Sequence, residues 1–187
     1  MKFFIDTANL DQIREANDLG VLDGVTTNPS LMAKEGIKGD ENCRKHYVEI
    51  CNIVDGDVSA EVIATDYEGM IKEGEELAAL HPNIVVKVPC IADGIKAIKY
   101  FTNKGLDDIS SDGIELVEKI VDMYAYYGFN TQVLAASIRH TQHIIQCIEA
   151  GADVATCPLS AIKGLLKHPL TDSGLATFLA DHKKVNS

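Results

Sequence analysis

The sequence is short of positive charge. Its 187 residues include 17 lysines and arginines against 28 aspartates and glutamates, which gives a formal net charge of −11. Because binding to a nucleic-acid backbone needs a basic surface, nucleic acid is excluded as a partner class, and any anion site must be local. No apolar run approaches the roughly 20 residues that cross a bilayer, so no membrane span is predicted. The start, Met1–Asp6, is too short and too soon acidic for a signal peptide.

Cysteine is also scarce, and its spacing carries no signature. The sequence contains five cysteines: Cys43, Cys51, Cys90, Cys147 and Cys157. An odd number with no CxxC pair predicts neither a disulfide framework nor a zinc site, so we expect a cytoplasmic protein. His140 and His143 share a helix face, but no carboxylate or thiol at a suitable spacing accompanies them, so a metal site is not predicted.

Short β-branched segments alternate with amphipathic ones along the whole chain. This rhythm predicts a single domain, residues 1–187, with a parallel sheet and right-handed crossovers. We place strands at 3–6, 24–27, 58–63, 83–89, 132–136 and 153–157. Asn9 is expected to cap a helix that extends to about Leu19. The second strand is expected to end in a turn at Asn28-Pro29-Ser30, which a loop follows. A closed (β/α)₈ barrel requires eight strands, two more than these six.

Lys87 lies in the middle of the apolar segment Asn83–Pro89, which predicts a short buried strand. Alternation places Lys87 and Val85 on one face of that strand. Burial of an amine favours its neutral form, and a neutral amine attacks a carbonyl to form a Schiff base. The alternative is a structural lysine that pairs with a carboxylate or extends to solvent at the end of the sheet.

Polar residues cluster at the carboxyl ends of the predicted strands. They are Asp6, Thr26, Asn28, Glu61, Lys87 and Ser137. Each has an ordinary explanation alone: Asp6 could cap a turn, Thr26 suits any strand, and Glu61 could pair with Lys87. Together they favour a lyase or transferase that acts on carbonyl compounds, because strand ends and βα loops carry the chemistry of a barrel.

The residue types suit such chemistry. Asp6 and Glu61 are candidates for the proton transfers that carbon–carbon cleavage requires. Asn28 offers hydrogen bonds to substrate hydroxyls without adding charge. Ser137 and Arg139 together offer a hydroxyl and a guanidinium for a phosphate. The alternative for Arg139 is a surface ion pair with a nearby acid.

Five segments, in order along nearly the whole chain, make the sequence resemble the small transaldolases and the fructose-6-phosphate aldolases, which share one fold. The segments are Phe4-Ile5-Asp6-Thr7-Ala8, Gly24-Val25-Thr26-Thr27-Asn28-Pro29-Ser30, Glu61-Val62, Ile84-Val85-Val86-Lys87-Val88-Pro89 and Leu134-Ala135-Ala136-Ser137-Ile138-Arg139. The second and fourth are specific in combination. The resemblance implies an α/β fold, a (β/α)₈ TIM barrel.

The resemblance also implies residue roles. Lys87 would form the Schiff base with a dihydroxyacetone unit, Asp6 would be the acid/base of carbon–carbon cleavage, and Glu61 would act through a water. The implied substrate-binding residues are Thr26, Asn28, Ser137 and Arg139. The family needs no metal or organic cofactor, its partners are sugar phosphates, and it forms homo-oligomers, often decamers or pentamers. A helical arm at about 171–183 would pack on a neighbouring subunit.

Glu61 bears on the choice of activity within the family. Its segment, Ser59-Ala60-Glu61-Val62, looks like the transaldolases, whereas the aldolases tend to carry glutamine at that position. A transaldolase of the pentose phosphate pathway is therefore the leading expectation. Fructose-6-phosphate aldolase is the alternative, and a catalytically inactive sugar-phosphate-binding relative is a further one.

The sequence departs from the family between Gly105 and Leu106, where about one βαβ unit, from the fifth to the sixth strand, is absent. In the family that stretch supplies a threonine for the catalytic water, an arginine for phosphate and an aromatic residue. Loss of two adjacent strands would leave unpaired edges beside Lys87. The resemblance therefore implies that a complete chain carries the unit.

Overall fold

The structure is a computed structural model that describes residues 1–101, 113–168, 170, 171, 173–175 and 177–179, without the side chains of residues 98 and 99. Its strands are β1 (Lys2–Asp6), β2 (Gly24–Thr26), β3 (Asp57–Glu61), β4 (Ile84–Lys87), β5 (Leu134–Ala135) and β6 (Val154–Cys157). Its helices are α1 (Leu10–Asp18), α2 (Pro29–Lys34), α3 (Asp40–Ile53), α4 (Tyr67–Ala78), α5 (Ala92–Phe101), α6 (Gly113–Tyr127), α7 (Thr141–Glu149) and α8 (Leu159–Leu165).

The strands form one curled, all-parallel sheet in the order β4-β3-β2-β1-β6-β5. In an eight-stranded barrel with strands in sequence order, β5 and β6 would occupy the seventh and eighth positions. The described strands are therefore a TIM-like barrel without its fifth and sixth strands, which confirms the predicted fold class and its truncation. The predicted junction between Gly105 and Leu106 lies outside the described residues, as do positions 172, 176 and 180–183 of the predicted arm at 171–183.

The two faces of the sheet differ in chemistry, because side chains alternate between faces and neighbouring parallel strands are in register. The convex face is apolar, and its buried members lie under the helices: Ile5, Val25, Val58, Ala60, Ile84, Ala135, Ala155 and Cys157. The concave face carries polar side chains: Asp6, Thr26, Ser59, Glu61, Lys87 and Thr156. The concave face also holds the buried side chains of Phe4 and Val154, so most of the core lies outside the sheet, and the polar chemistry lies inside the curl.

Local capping signals fix how the chain leaves each strand. Asn9 accepts from the backbone N–H of Gln12 at 3.0 Å and begins α1, as the sequence predicts. The turn expected at Asn28-Pro29-Ser30 is wrong, because Asn28 instead caps the short helix α2; the expected loop follows that helix, at residues 35–39. The reason is chemical: asparagine is a favoured N-cap, and proline at the first helical position has no N–H to leave unpaired.

Gly24 is a position where the sheet tolerates no side chain. A Cβ there would lie 2.5 Å from the Phe4 ring and 2.6 Å from the backbone oxygen of Asp57. The ring could turn aside, but the backbone oxygen belongs to the neighbouring strand β3. We expect Gly24→Ala to lower the free energy of unfolding by about 2–3 kcal/mol, measured by urea denaturation.

Gly113→Ala is the matched control for that substitution, since nothing lies within 4 Å of a Cβ at this position in α6. Alanine should change stability there by no more than about 1 kcal/mol, in the stabilising direction. Equal destabilisation by the two variants would contradict the packing argument for Gly24.

Across the described ranges, no helix is both long enough and apolar enough to cross a membrane.

Candidate active site

Two hydroxyls and one carboxylate meet at the centre of the concave face. The Thr26 hydroxyl donates to Asp6 Oδ1 at 2.7 Å and lies 2.6 Å from the hydroxyl of Thr156. Strand β1 pairs with both β2 and β6, so Asp6 is level with Thr26 on one side, and Phe4 is level with Thr156 on the other. The structure thus joins two predicted site residues, Asp6 and Thr26, in one hydrogen-bonded group.

A second pair of predicted residues lies towards the β4 edge. Glu61 and Lys87 are in register on β3 and β4, and Lys87 Nζ lies 3.6 Å from Glu61 Oε2. This separation exceeds that of a direct N–H···O hydrogen bond, so a water that contacts both groups fits the geometry. The ion pair foreseen as the structural alternative is present, and it also places a carboxylate beside the candidate nucleophile.

The expected burial of Lys87 is wrong. Its side chain is 43% exposed, and that of Glu61 is 24% exposed. The cause is the position of β4, which is an end strand of the described sheet and has a neighbour only on the β3 side. An ion pair this exposed contributes about 0–1 kcal/mol to folding, so it explains little of why a lysine stands here.

The side-chain oxygen of Asn28 caps helix α2. Its Oδ1 accepts from the backbone N–H of Leu31 at 3.0 Å. The amide nitrogen has no hydrogen-bond partner within the described ranges, and the residue is half-buried. The cap therefore fixes the side chain and leaves its NH₂ group free to donate to a ligand hydroxyl.

Ser137 and Arg139 follow β5, at the opposite end of the sheet from Lys87. Both are exposed, and neither has a hydrogen-bond or ion-pair partner among the residues described, so the expected alternative of a surface ion pair is not observed for Arg139. Ser137 has a φ of 58°, in the left-handed region that a non-glycine residue rarely adopts. Such strain, which costs about 1–2 kcal/mol, is typical of functional positions.

Sequence analysis missed two hydroxyls on the concave face. Thr156 contacts Thr26, and Ser59 Oγ accepts from the backbone N–H of Thr27 at 3.3 Å. Strand alternation gives the face that each occupies within its own strand. The contact of Thr156, however, depends on the return of β6 to the side of β1, a long-range pairing that no local pattern reveals.

A cavity of about 470 Å³ opens beside the carboxyl end of β3, between α2, α3 and α4. Of the predicted site residues only Glu61 lines it, together with Tyr47 and the paired side chains of Arg44 and Glu76. Burial raises the pKa of Tyr47 to about 12, and the nearby charge of Glu61 adds to this, while a hydrogen bond with the Glu61 backbone opposes it. The Tyr47 phenol therefore stays protonated at neutral pH beside the Glu61 carboxylate.

The buried phenol of Tyr47 predicts a loss of stability in alkali. Its pKa is about 12 folded and 10.0 for the free side chain, so the unfolded state releases a proton first as pH rises. Stability from this group is complete below pH 10 and is lost between about pH 10 and 12, by roughly 2–3 kcal/mol in total. Urea unfolding at several pH values should show a shallower decline for Tyr47→Phe. Parallel curves for both proteins would contradict it.

The buried cysteines Cys157 and Cys51 are not candidate nucleophiles. Burial raises the pKa of Cys157 to about 12, with further contributions from Cys147 and the charge of Asp6. Burial likewise raises the pKa of Cys51 to about 11. Both remain thiols at neutral pH, and the thiolate is the reactive form.

The rings of His140 and His143 lie 3.8 Å apart at the start of α7. No group of three or more histidine, cysteine, aspartate or glutamate residues that could hold a metal ion occurs among the described positions. The described arrangement offers a primary amine, two carboxylates and several hydroxyls at the carboxyl ends of the strands.

Comparison with solved structures supports the fold. Orotidine 5′-phosphate decarboxylase from Pyrococcus horikoshii OT3 superposes with a TM-score of 0.53, over 83% of this chain and 88% of that chain. The two sequences are 12% identical. At this identity the likeness extends to the barrel architecture and no further.

Comparison with curated proteins gives much closer relatives, each called "Probable transaldolase". The proteins from Parabacteroides distasonis, Phocaeicola vulgatus and Cytophaga hutchinsonii are 76%, 70% and 63% identical to this chain. Each alignment covers the full length of both sequences. The alignments span 217 positions, 30 more than the 187 residues of this chain, so these 30 positions have no counterpart here.

The family model described as Transaldolase/Fructose-6-phosphate aldolase matches in two parts, residues 3–109 and 106–187. The parts meet where the sequence predicts a missing βαβ unit, and the order of strands in the sheet agrees with that break. The relatives identify an enzyme of the aldolase or transferase type. The chain belongs to the transaldolase/fructose-6-phosphate aldolase family.

Proposed function

We propose that this protein is a transaldolase of the pentose phosphate pathway, which acts through a Schiff base on Lys87. It would convert sedoheptulose 7-phosphate and glyceraldehyde 3-phosphate into erythrose 4-phosphate and fructose 6-phosphate. We further propose a cytoplasmic homo-oligomer, a pentamer or decamer. No cofactor is required, because an amine and two carboxylates supply the covalent and proton-transfer steps.

The observation that carries the proposal is the position of Lys87 Nζ, 3.6 Å from Glu61 Oε2 on the same concave face as Asp6. Imine formation needs a nucleophilic amine and a group that moves protons through water. Lys87 attacks C2 of the ketose, and the carbinolamine loses its hydroxyl as water. Glu61, acting through a bridging water, delivers the proton that this step consumes and recovers it when the imine is hydrolysed.

Asp6 supports the cleavage step. The carboxylate accepts the proton of the C4 hydroxyl while the C3–C4 bond breaks, and the electron pair of that bond moves into the iminium to give an enamine. The aldehyde leaves. The enamine carbon then attacks the carbonyl carbon of a second aldehyde, and Asp6 returns the proton to the oxygen that becomes the new hydroxyl. The hydrogen bond from Thr26, at 2.7 Å, orients the carboxylate for both directions.

Residues whose polar groups have no hydrogen-bond partner among the described residues would bind the substrate. The unpaired NH₂ group of Asn28 suits a sugar hydroxyl, and the exposed pair Ser137 and Arg139 suits a phosphate. Because this chain lacks 30 positions that the relatives have, it has fewer residues that could contact the substrate. This reduction favours, as a second candidate, a relative that binds sugar phosphates without turning them over.

Glu61 separates transaldolase from the other family activity, fructose-6-phosphate aldolase. A carboxylate exchanges protons with the catalytic water, whereas the glutamine typical of the aldolases only hydrogen-bonds to it. Supply of erythrose 4-phosphate with fructose 6-phosphate should give sedoheptulose 7-phosphate if the protein is a transferase. Release of free dihydroxyacetone at the same rate with or without acceptor would identify an aldolase instead.

Intact-mass measurement after treatment with fructose 6-phosphate and borohydride tests the proposal. Borohydride reduces an imine to a stable amine, so the chain should gain the mass of one reduced dihydroxyacetone unit. Lys87→Ala should gain nothing. A wild-type chain that binds the sugar phosphate in calorimetry but yields no adduct would overturn the enzyme proposal in favour of the binding-only relative.

A further inference from the structure

The contact between Thr156 and Thr26 joins two strands that are not neighbours in the sheet. The hydroxyl of Thr156 is 2.6 Å from that of Thr26, although β1 separates β6 from β2. In register, Thr156 is level with Phe4 and Thr26 is level with Asp6. Ile5, between those two residues of β1, points to the convex face and is fully buried there. No side chain of β1 therefore separates the two hydroxyls, and the curl of the sheet brings them together.

Each threonine hydroxyl has one proton to donate, and this sets the direction of the two hydrogen bonds. An ionised carboxylate only accepts, so the single hydroxyl proton of Thr26 is used in its bond to Asp6 Oδ1. Thr26 then accepts at its oxygen, and the donor of the 2.6 Å contact is Thr156. The chain of bonds runs from Thr156 to Thr26 to Asp6, and a hydroxyl that accepts a hydrogen bond becomes a stronger donor.

We propose that Thr156 is a positioning residue for the cleavage step: it orients and polarises Thr26, which in turn holds the Asp6 carboxylate ready for the substrate hydroxyl proton. This inference rests on the proposed function and adds a residue to it. Among the described residues, Thr156 has no hydrogen bond to Lys87 or Glu61, the groups that form the imine in that scheme. Its effect is therefore confined to the step in which Asp6 moves a proton.

Thr156 is 3% exposed, so the substituent must keep its shape. Thr156→Val keeps the volume and removes only the hydroxyl. We expect kcat to fall about tenfold, the worth of one hydrogen bond to a charged system, while KM stays within about twofold. Thr156→Ser keeps the hydroxyl and should retain kcat within about threefold of the wild type.

Borohydride trapping with fructose 6-phosphate separates positioning from a merely structural role. Imine formation precedes cleavage, so Thr156→Val should be trapped to the same total extent as the wild type. The share of uncleaved six-carbon adduct should rise at the expense of the three-carbon adduct. A loss of all adducts together with a lowered melting temperature would indicate structural damage and would overturn the inference.

Thr27→Val is the matched control. Thr27 adjoins Thr26, is 1% exposed, and its hydroxyl is buried without a partner among the described residues. The same chemical change there should leave kcat and the ratio of adducts unchanged. A Thr156→Val enzyme with kcat within twofold of the wild type, or a serine variant as slow as the valine variant, would overturn the role of Thr156 alone. No adduct on the wild type would overturn the proposed function, and this inference with it.

Discussion

Replacement of Lys87 with alanine should lower kcat/KM for ketol transfer by about 10⁴-fold or more. The reason is that the covalent route disappears with the amine, and what remains is binding and positioning. Folding should be nearly unaffected, because the ion pair with Glu61 is exposed on the lysine side and contributes little. The measurement is a coupled assay of transfer to erythrose 4-phosphate, together with a melting curve for each variant.

Lys87→Arg distinguishes a nucleophile from a structural cation. Arginine keeps the positive charge beside Glu61, but its guanidinium is permanently protonated and does not form an imine. We expect it to be as inactive as the alanine variant. Lys45→Ala removes an exposed lysine that pairs with Glu41 on α3, and its activity should stay within about twofold of the wild type. An arginine variant with substantial activity would show that Lys87 serves only the ion pair.

The strands were predictable because their signal is local. The β-branched segment around Lys87 and the segment Val154–Cys157 each read as a strand from composition alone, and both are strands in the sheet. The same local reasoning placed Asn9 as a helix cap. It failed at Asn28, where an Asn-Pro pair fits a turn and a helix start equally well, and only the following residues decide between them.

The missing βαβ unit was predictable by counting rather than by pattern. Six strands in a family that needs eight point to a gap, and the break in the family match at 106–109 locates it. The exposure of Lys87 was not predicted, although it follows from the same gap. A strand called buried from its β-branched composition becomes an end strand once its next neighbour is absent.

Contacts between distant strands mark the limit of sequence reasoning for the site. Asp6 and Thr26 were named separately, but their hydrogen bond requires the pairing of β1 with β2. Thr156 was overlooked because a threonine in a strand is ordinary until its partner is known. The residue types in the sequence therefore predict which side chains belong to a site, but the order of the strands determines which of those side chains contact one another.

Asp6→Asn should separate imine formation from carbon–carbon cleavage. The amide keeps the shape and can still accept a hydrogen bond from Thr26, but it takes up no proton from the substrate hydroxyl. We expect kcat to fall by about 10²–10⁴-fold, the usual worth of a general base. Lys87 should still form its imine, so borohydride should trap the uncleaved six-carbon unit from fructose 6-phosphate, where the wild type yields the three-carbon unit.

Asp11→Asn supplies the control for the loss of a carboxylate, because Asp11 lies on α1, its side chain is 93% exposed, and Arg14 is its one ion-pair partner among the described residues. It should give the wild-type adduct and the wild-type rate. A three-carbon adduct on Asp6→Asn at the wild-type rate would remove Asp6 from the cleavage step. The proton would then have to leave through Glu61, the other candidate carboxylate, and Glu61→Gln would be expected to show the six-carbon adduct instead. The identity of the trapped unit thus assigns the cleavage base to one of two carboxylates, which rate measurements alone would not do.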